Sequence, residues 1–115
     1  MENIKTKNNM RTIYKYTISN TPEVISGVNL ESKIYVPVDS KILCCKVQNS
    51  TEVCVWVELN DSDFHDSQVL IQPITIKIFG TGWNIDEIKD KNYEYIDTIM
   101  IGEGIFVYHV YAIYE

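Results

Sequence analysis

The feature that most constrains this chain is a period of two. Ile74, Ile76 and Ile78 alternate with Thr75, Lys77 and Phe79, and Val53, Val55, Val57 and Leu59 alternate with Glu52, Cys54, Trp56 and Glu58. β-Branched residues at every second position line one face of a strand, whereas an apolar helix face needs a period of 3.6. Isoleucine, valine and tyrosine dominate the apolar set, and alanine and leucine are scarce, so the rest of the chain leans the same way. The expectation is an all-β fold.

Taken in order, Met1 to Arg11 is polar and Lys/Asn-rich, and residues 1–11 are expected to form a flexible tail before a single domain spanning 12–115. Thr12 to Ile18 reads as the first strand. Thr21-Pro22-Glu23 has the look of a short helical turn that Gly27 ends. Ile34 to Pro37 is extended. Lys41–Gln48 and Glu52–Leu59 form the clearest hairpin. Matching faces pairs Val47 with Val53 and Cys45 with Val55, leaving Asn49-Ser50-Thr51 as the loop. In that reading Leu43, Cys45 and Val47 face inward together, and Cys44 and Cys54 lie diagonally, too far apart for a disulfide. A polar loop follows, with a short strand at Val69–Ile71, then the strand from Ile74. Tyr93–Ile101 and Ile105–Tyr114 form a second hairpin turning at Gly102-Glu103-Gly104. The last strand is apolar on both faces, which predicts a central or covered position. About seven mainly antiparallel strands without a long helix fit one small sandwich or a partly open barrel.

Charge and composition exclude several functions. A net charge of −6 over 115 residues argues against binding duplex nucleic acid, which needs clustered Lys and Arg. No apolar run approaches the ~18 residues of a membrane-spanning helix, and no signal-peptide core opens the chain. Three cysteines, an odd number, fit reduced thiols in an intracellular protein.

The strand from Ile74 runs into Gly80-Thr81-Gly82-Trp83. Amides in such a turn can form an anion-binding concavity, so Gly80, Thr81, Gly82 and Trp83, with Lys77 as counter-charge, are candidate ligand-binding residues. A plain strand-ending turn is the competing reading, because a bare Gly-x-Gly is common. It matches neither a dinucleotide fingerprint nor a P-loop. Trp56, Phe79 and Lys46 are candidate interface residues, since rings left outside a core are natural anchors for a partner or a second subunit. No residue is assigned a catalytic or metal-binding role, and no cofactor is expected. Glu58, Asp97 and His109 are the strand-borne groups that acid–base chemistry would draw on. Asp61, Asp63 and Asp66 lack the glycine and closing glutamate of a calcium loop.

Thr12-Ile13-Tyr14-Lys15-Tyr16, Lys41-Ile42-Leu43, Trp56, Ile78-Phe79-Gly80-Thr81-Gly82, Tyr95-Ile96-Asp97-Thr98 and Val107-Tyr108-His109-Val110 occur in an order that resembles a family of short tailed-bacteriophage proteins known only as a domain of unknown function. The resemblance spans about Thr12 to Tyr111. It implies a viral protein acting in the bacterial host cytoplasm, and no catalytic residues carry over. With the acidic charge and the surplus rings, it leads to a non-enzymatic binding protein as the expected function. That protein would be a stoichiometric antagonist of a host defence system. One version docks on a host defence protein; the other, as a homo-oligomer, sequesters a small anionic nucleotide signal. The competing expectations are a small hydrolase using Asp97 and His109, and a minor virion component.

Overall fold

The structure, a computed structural model, describes residues 10–114, apart from the side chain of Phe64. Seven strands build two antiparallel sheets. They are β1 (Arg11–Asn20), β2 (Glu31–Pro37), β3 (Lys41–Gln48), β4 (Glu52–Asn60), β5 (Ile71–Gly80), β6 (Asn92–Ile101) and β7 (Phe106–Tyr114). Sheet order is β1-β4-β3 in one layer and β2-β5-β7-β6 in the other. This is an all-β sandwich, and β7 is internal, as its two apolar faces predict. The tail expected over 1–11 lies outside the described residues except for Met10 and Arg11, and Arg11 opens β1 opposite Asn60.

The alternating β-branched residues meet between the layers. Val53, Val55, Val57 and Leu59 of β4 face Ile74, Ile76 and Ile78 of β5, all within one buried cluster. At ~2 kcal/mol for each fully buried aliphatic side chain, this interleaving is the main force holding the layers together. Side chains pin both sides of the sandwich. Ser32 Oγ donates to Ile18 O (2.7 Å) between β2 and β1. Opposite, Cys45 N donates to Asp97 Oδ2 (3.2 Å) between β3 and β6.

The β3–β4 register is the one read from the sequence: Val47 opposite Val53, Cys45 opposite Val55, Cys44 opposite Trp56. Asn49 and Ser50 turn the corner with positive φ of 54° and 64°. All three thiols are free. Two expectations are corrected. Leu43 does not share the inward face of Cys45: a register shift between Ile42 and Cys44 turns it outward and puts Ile42 in the core. Val69–Ile71 is not a separate strand. Ile71 opens β5, which runs through Pro73 because β7 begins to pair only at Ile74, so the missing donor costs the β5–β7 ladder nothing.

Two short helices complete the chain. Helix α1 (Thr21–Ile25) starts at Asn20, whose side chain accepts from Glu23 N, with proline in its first turn. Helix α2 (Asp61–Phe64) is capped by Asn60, and Asp61 accepts a hydrogen bond from Tyr14. A 3-10 turn (Asp86–Ile88) crosses the outer face of the β5–β7 sheet. Its Ile88, with Ile85, covers Phe79, Tyr111 and Ile113 in a second cluster.

Strands β1, β3, β5 and β6 all finish at one end, here the lower end, where β2, β4 and β7 begin. The Ser32–Ile18 bond fixes this alignment near the lower end, and the Arg11–Asp39 pair (3.6 Å) fixes it at the upper.

Candidate functional site

Strand β5 delivers the Gly-Thr-Gly turn to the lower end. Gly82 has φ +86°, a conformation that favours glycine, and the chain folds back so that Trp83 N donates to Gly80 O (3.1 Å). The indole then lies flat against Gly80, since a Cβ there would sit 2.6 Å from Trp83 Cε2. It meets Tyr108 edge to face at 6.3 Å. Glycine is required at position 80 for contact, and at 82 for conformation.

Trp83 stands between two clefts. One, about 470 Å³, is lined by Gly80, Thr81, Trp83, Ile105, Phe106 and Tyr108, among others. Its rim is apolar and open: Ile105 is 76% exposed and Trp83 48%. The other, about 280 Å³, brings Lys77, Phe79 and Trp83 together with Asn84 and Glu87. Of the five sequence-predicted ligand residues, Gly80, Thr81, Lys77 and Trp83 line one cleft or the other, and Gly82 shapes the turn without lining either.

Their polar groups are engaged within the chain. Thr81 N donates to Val107 O (3.3 Å) and Trp83 N to Gly80 O, which takes two amides out of any anion cradle. The Lys77 ammonium is bonded to Glu31 Oε1 (2.9 Å) and to Glu87. Burial alone would lower its pKa, but the bonds to Glu87 and Glu31 outweigh this and raise it. Two carboxylates on one ammonium leave the small cleft with acidic surplus, which repels an anion.

The predicted interface trio is dispersed. Phe79 is not an exposed anchor: only 4% of it is exposed, because the 3-10 turn lays Ile85 and Ile88 over it. Ile85 and Ile88, three apart in a polar stretch, are the sequence signal for that cover. Trp56 is half-buried on the outer face of the β1-β4-β3 sheet, flanked by Lys15 and Cys44 in the register. Lys46 pairs with Asp97 (3.2 Å), and its hydrogen bond to that carboxylate raises its pKa.

The acid–base groups diverge. Asp97 faces β3, Glu58 pairs with Arg11 (3.1 Å) on the opposite layer, and His109 lies on the outer face of β7. His109 instead joins a chain of hydroxyls. Its Nε2 is 2.8 Å from Thr81 Oγ1 and its Nδ1 is 3.2 Å from Thr98 Oγ1. Thr98 is 2.6 Å from Tyr95 OH, and Thr81 also donates to Val107 O (3.3 Å). A carbonyl only accepts, so with a neutral imidazole satisfying every link orients the chain one way: Tyr95 to Thr98, Thr98 to Nδ1, Nε2–H to Thr81, Thr81 to Val107. In that orientation the Thr81 proton is given to a carbonyl and the imidazole has none to take. The relay anchors the turn; it does not activate Thr81 as a nucleophile.

Cys45 is not placed as a nucleophile. Cys45 is buried between the layers, and desolvation, with Asp97 nearby, pushes its thiol up to about 12. Low-pKa, accessible sulfur is what a nucleophile needs. Among the described residues no group of three His, Cys, Asp or Glu is placed to hold a metal ion, and no helix is long and apolar enough to cross a membrane.

What this geometry offers is an apolar, ring-walled cleft at one end of a rigid sandwich. Comparison with curated proteins and with solved structures finds no match. A family match does cover residues 10–115, nearly the whole chain, and the chain belongs to that family, the domain of unknown function DUF7352.

Proposed function

We propose that this is a phage-encoded binding protein that acts by stoichiometric docking on a bacterial host protein, with the lower-end cleft as its contact. The observation that carries the binding reading is the 470 Å³ apolar cleft beside Trp83, Ile105 and Phe106, each substantially exposed. Exposed rings around a concave apolar surface are what a partner's side chain fills, and such anchors dominate interface energies. The viral source and the antagonism of host defence rest on the resemblance in sequence order. The nucleotide-sequestering version is weaker, because Lys77, Lys46 and two turn amides are already engaged.

The test is affinity capture from host lysate with the wild-type protein and with Ile105→Ser, followed by mass spectrometry of proteins and released small molecules. Ile105 lies in an exposed turn, so the variant keeps the fold. The expected outcome is one stoichiometric host protein that the variant fails to retain. A phosphate-containing molecule released intact, with no protein partner, would replace docking by sequestration.

A further inference from the structure

The lower end carries a second property, independent of its rings. Residues 18–32, 47–53, 79–85 and 99–107 build this end, and none of them is lysine or arginine. Four of them are glutamates: Glu23, Glu31, Glu52 and Glu103. Only Glu31 is bonded to a cation, Lys77, among the ion pairs of the described residues. Glu103 sits in the turn that also presents Ile105, so acid and apolar rim share one loop. Among the described basic residues Lys77 reaches this end, held by Glu31 and Glu87 in the smaller cleft; Arg11 and Lys41 lie at the upper end, Lys15, Lys33 and Lys46 along the sheets, and Lys89 and Lys91 beyond the 3-10 turn. Glu23, Glu52 and Glu103 are thus an acidic surplus at the same pole as the cleft, although Asp39, Glu58, Asp61, Asp63 and Asp66 make the opposite end acidic as well.

Resting on the docking reading above, we infer that the partner presents a cationic segment: an aliphatic or aromatic side chain for the cleft, flanked by lysine or arginine. Apolar contact alone would accept any exposed hydrophobic segment. A rim with acidic surplus, its one nearby ammonium among the described residues, Lys77, already held by Glu31 and Glu87, adds selection, because a partner bearing carboxylates would meet like charge while one bearing Lys or Arg is steered in. Rim charges are solvated, so their effect falls as salt rises and the Debye length shrinks from ~10 Å at 0.1 M to ~3 Å at 1 M.

A display library of short random peptides, panned on the folded protein, tests this without knowing the partner. The expected consensus is an apolar anchor with adjacent Lys or Arg. A fluorescein-labelled consensus peptide should then bind about tenfold more weakly to Glu52→Lys/Glu103→Lys, a loss of ~1.4 kcal/mol. It should weaken progressively with added salt, and lose binding to Ile105→Ser. Circular dichroism confirms that each variant is folded. Peptides that depend on Ile105 but show no cationic bias, and ignore the charge reversals, overturn this inference and leave the docking cleft standing. Peptides indifferent to Ile105→Ser overturn the cleft itself. Enrichment of no sequence, or of acidic ones, also overturns the inference.

Discussion

The Trp83 indole occupies the space that a side chain at Gly80 would take, with a built Cβ only 2.6 Å from Trp83 Cε2. The two residues are thus one structural unit. Gly80→Ala must displace the indole or the turn, at a cost of ~1–3 kcal/mol by overpacking. In a Trp83→Ala background the same change should be near neutral or stabilising by ~0.5 kcal/mol, as glycine in a strand is entropically poor. A double-mutant cycle by urea denaturation checks this. Additive costs would show that the two do not touch.

The hydroxyl relay fixes the tautomer of His109. Because Val107 O can only accept, His109 should carry its proton on Nε2, and ¹⁵N chemical shifts of the ring report it directly. Thr98→Val removes the donor to Nδ1 and should cost ~1 kcal/mol. A proton found on Nδ1 would reverse the relay and free the Thr81 hydroxyl to face the ring as a donor.

Asp97 closes one side of the sandwich by accepting from Cys45 N (3.2 Å) and pairing with Lys46. Asp97→Ala leaves that part-buried amide without its partner, at ~1–3 kcal/mol. Hydrogen exchange at Cys45 should accelerate more than at Val55, which lies in the middle of its sheet. Equal acceleration at both would mean global loosening and not a local seam.

Alkaline pH should destabilise the fold. The Cys45 thiol is raised from 9.0 to about 12 by burial, so between these values the unfolded chain loses its proton while the folded one keeps it. The folded state then binds more protons, and stability falls as pH rises through this range. Tyr16, raised by desolvation, and Tyr114, raised by burial and its bond to Glu94, act in the same direction. Cys45→Ala should flatten the fall in unfolding free energy above pH ~9. An unchanged slope would assign the effect to the tyrosines.

The strands and the β3–β4 register were legible because alternation limits the pairing to registers that keep Val53, Val55 and Val57 on the face of Cys45 and Val47, and the short Asn49-Ser50-Thr51 loop selects among them. The bulges at Leu43 and Ile96 were not, because each depends on the neighbour across the seam. The shift beside Ile96 precedes Asp97, whose carboxylate meets β3, and nothing in either strand alone names the other. The Gly-Thr-Gly turn was legible as a turn. What its groups do was hidden, since Val107, Glu31 and Glu87, which engage Thr81 and Lys77, come from distant segments. Ile105 escaped notice because an apolar residue beside a glycine turn reads as the start of a strand, and its exposure appears only when β7 begins at Phe106.

The central claim is that the lower end is where this protein makes its contact. Hydrogen-exchange mass spectrometry of the complex with the captured partner tests it most directly. Protection should appear at Gly80–Asn84 and Gly102–Val107 and leave the Trp56 face unchanged. Protection confined to the outer face of the β1-β4-β3 sheet, with the lower end exchanging as in the free protein, would contradict it.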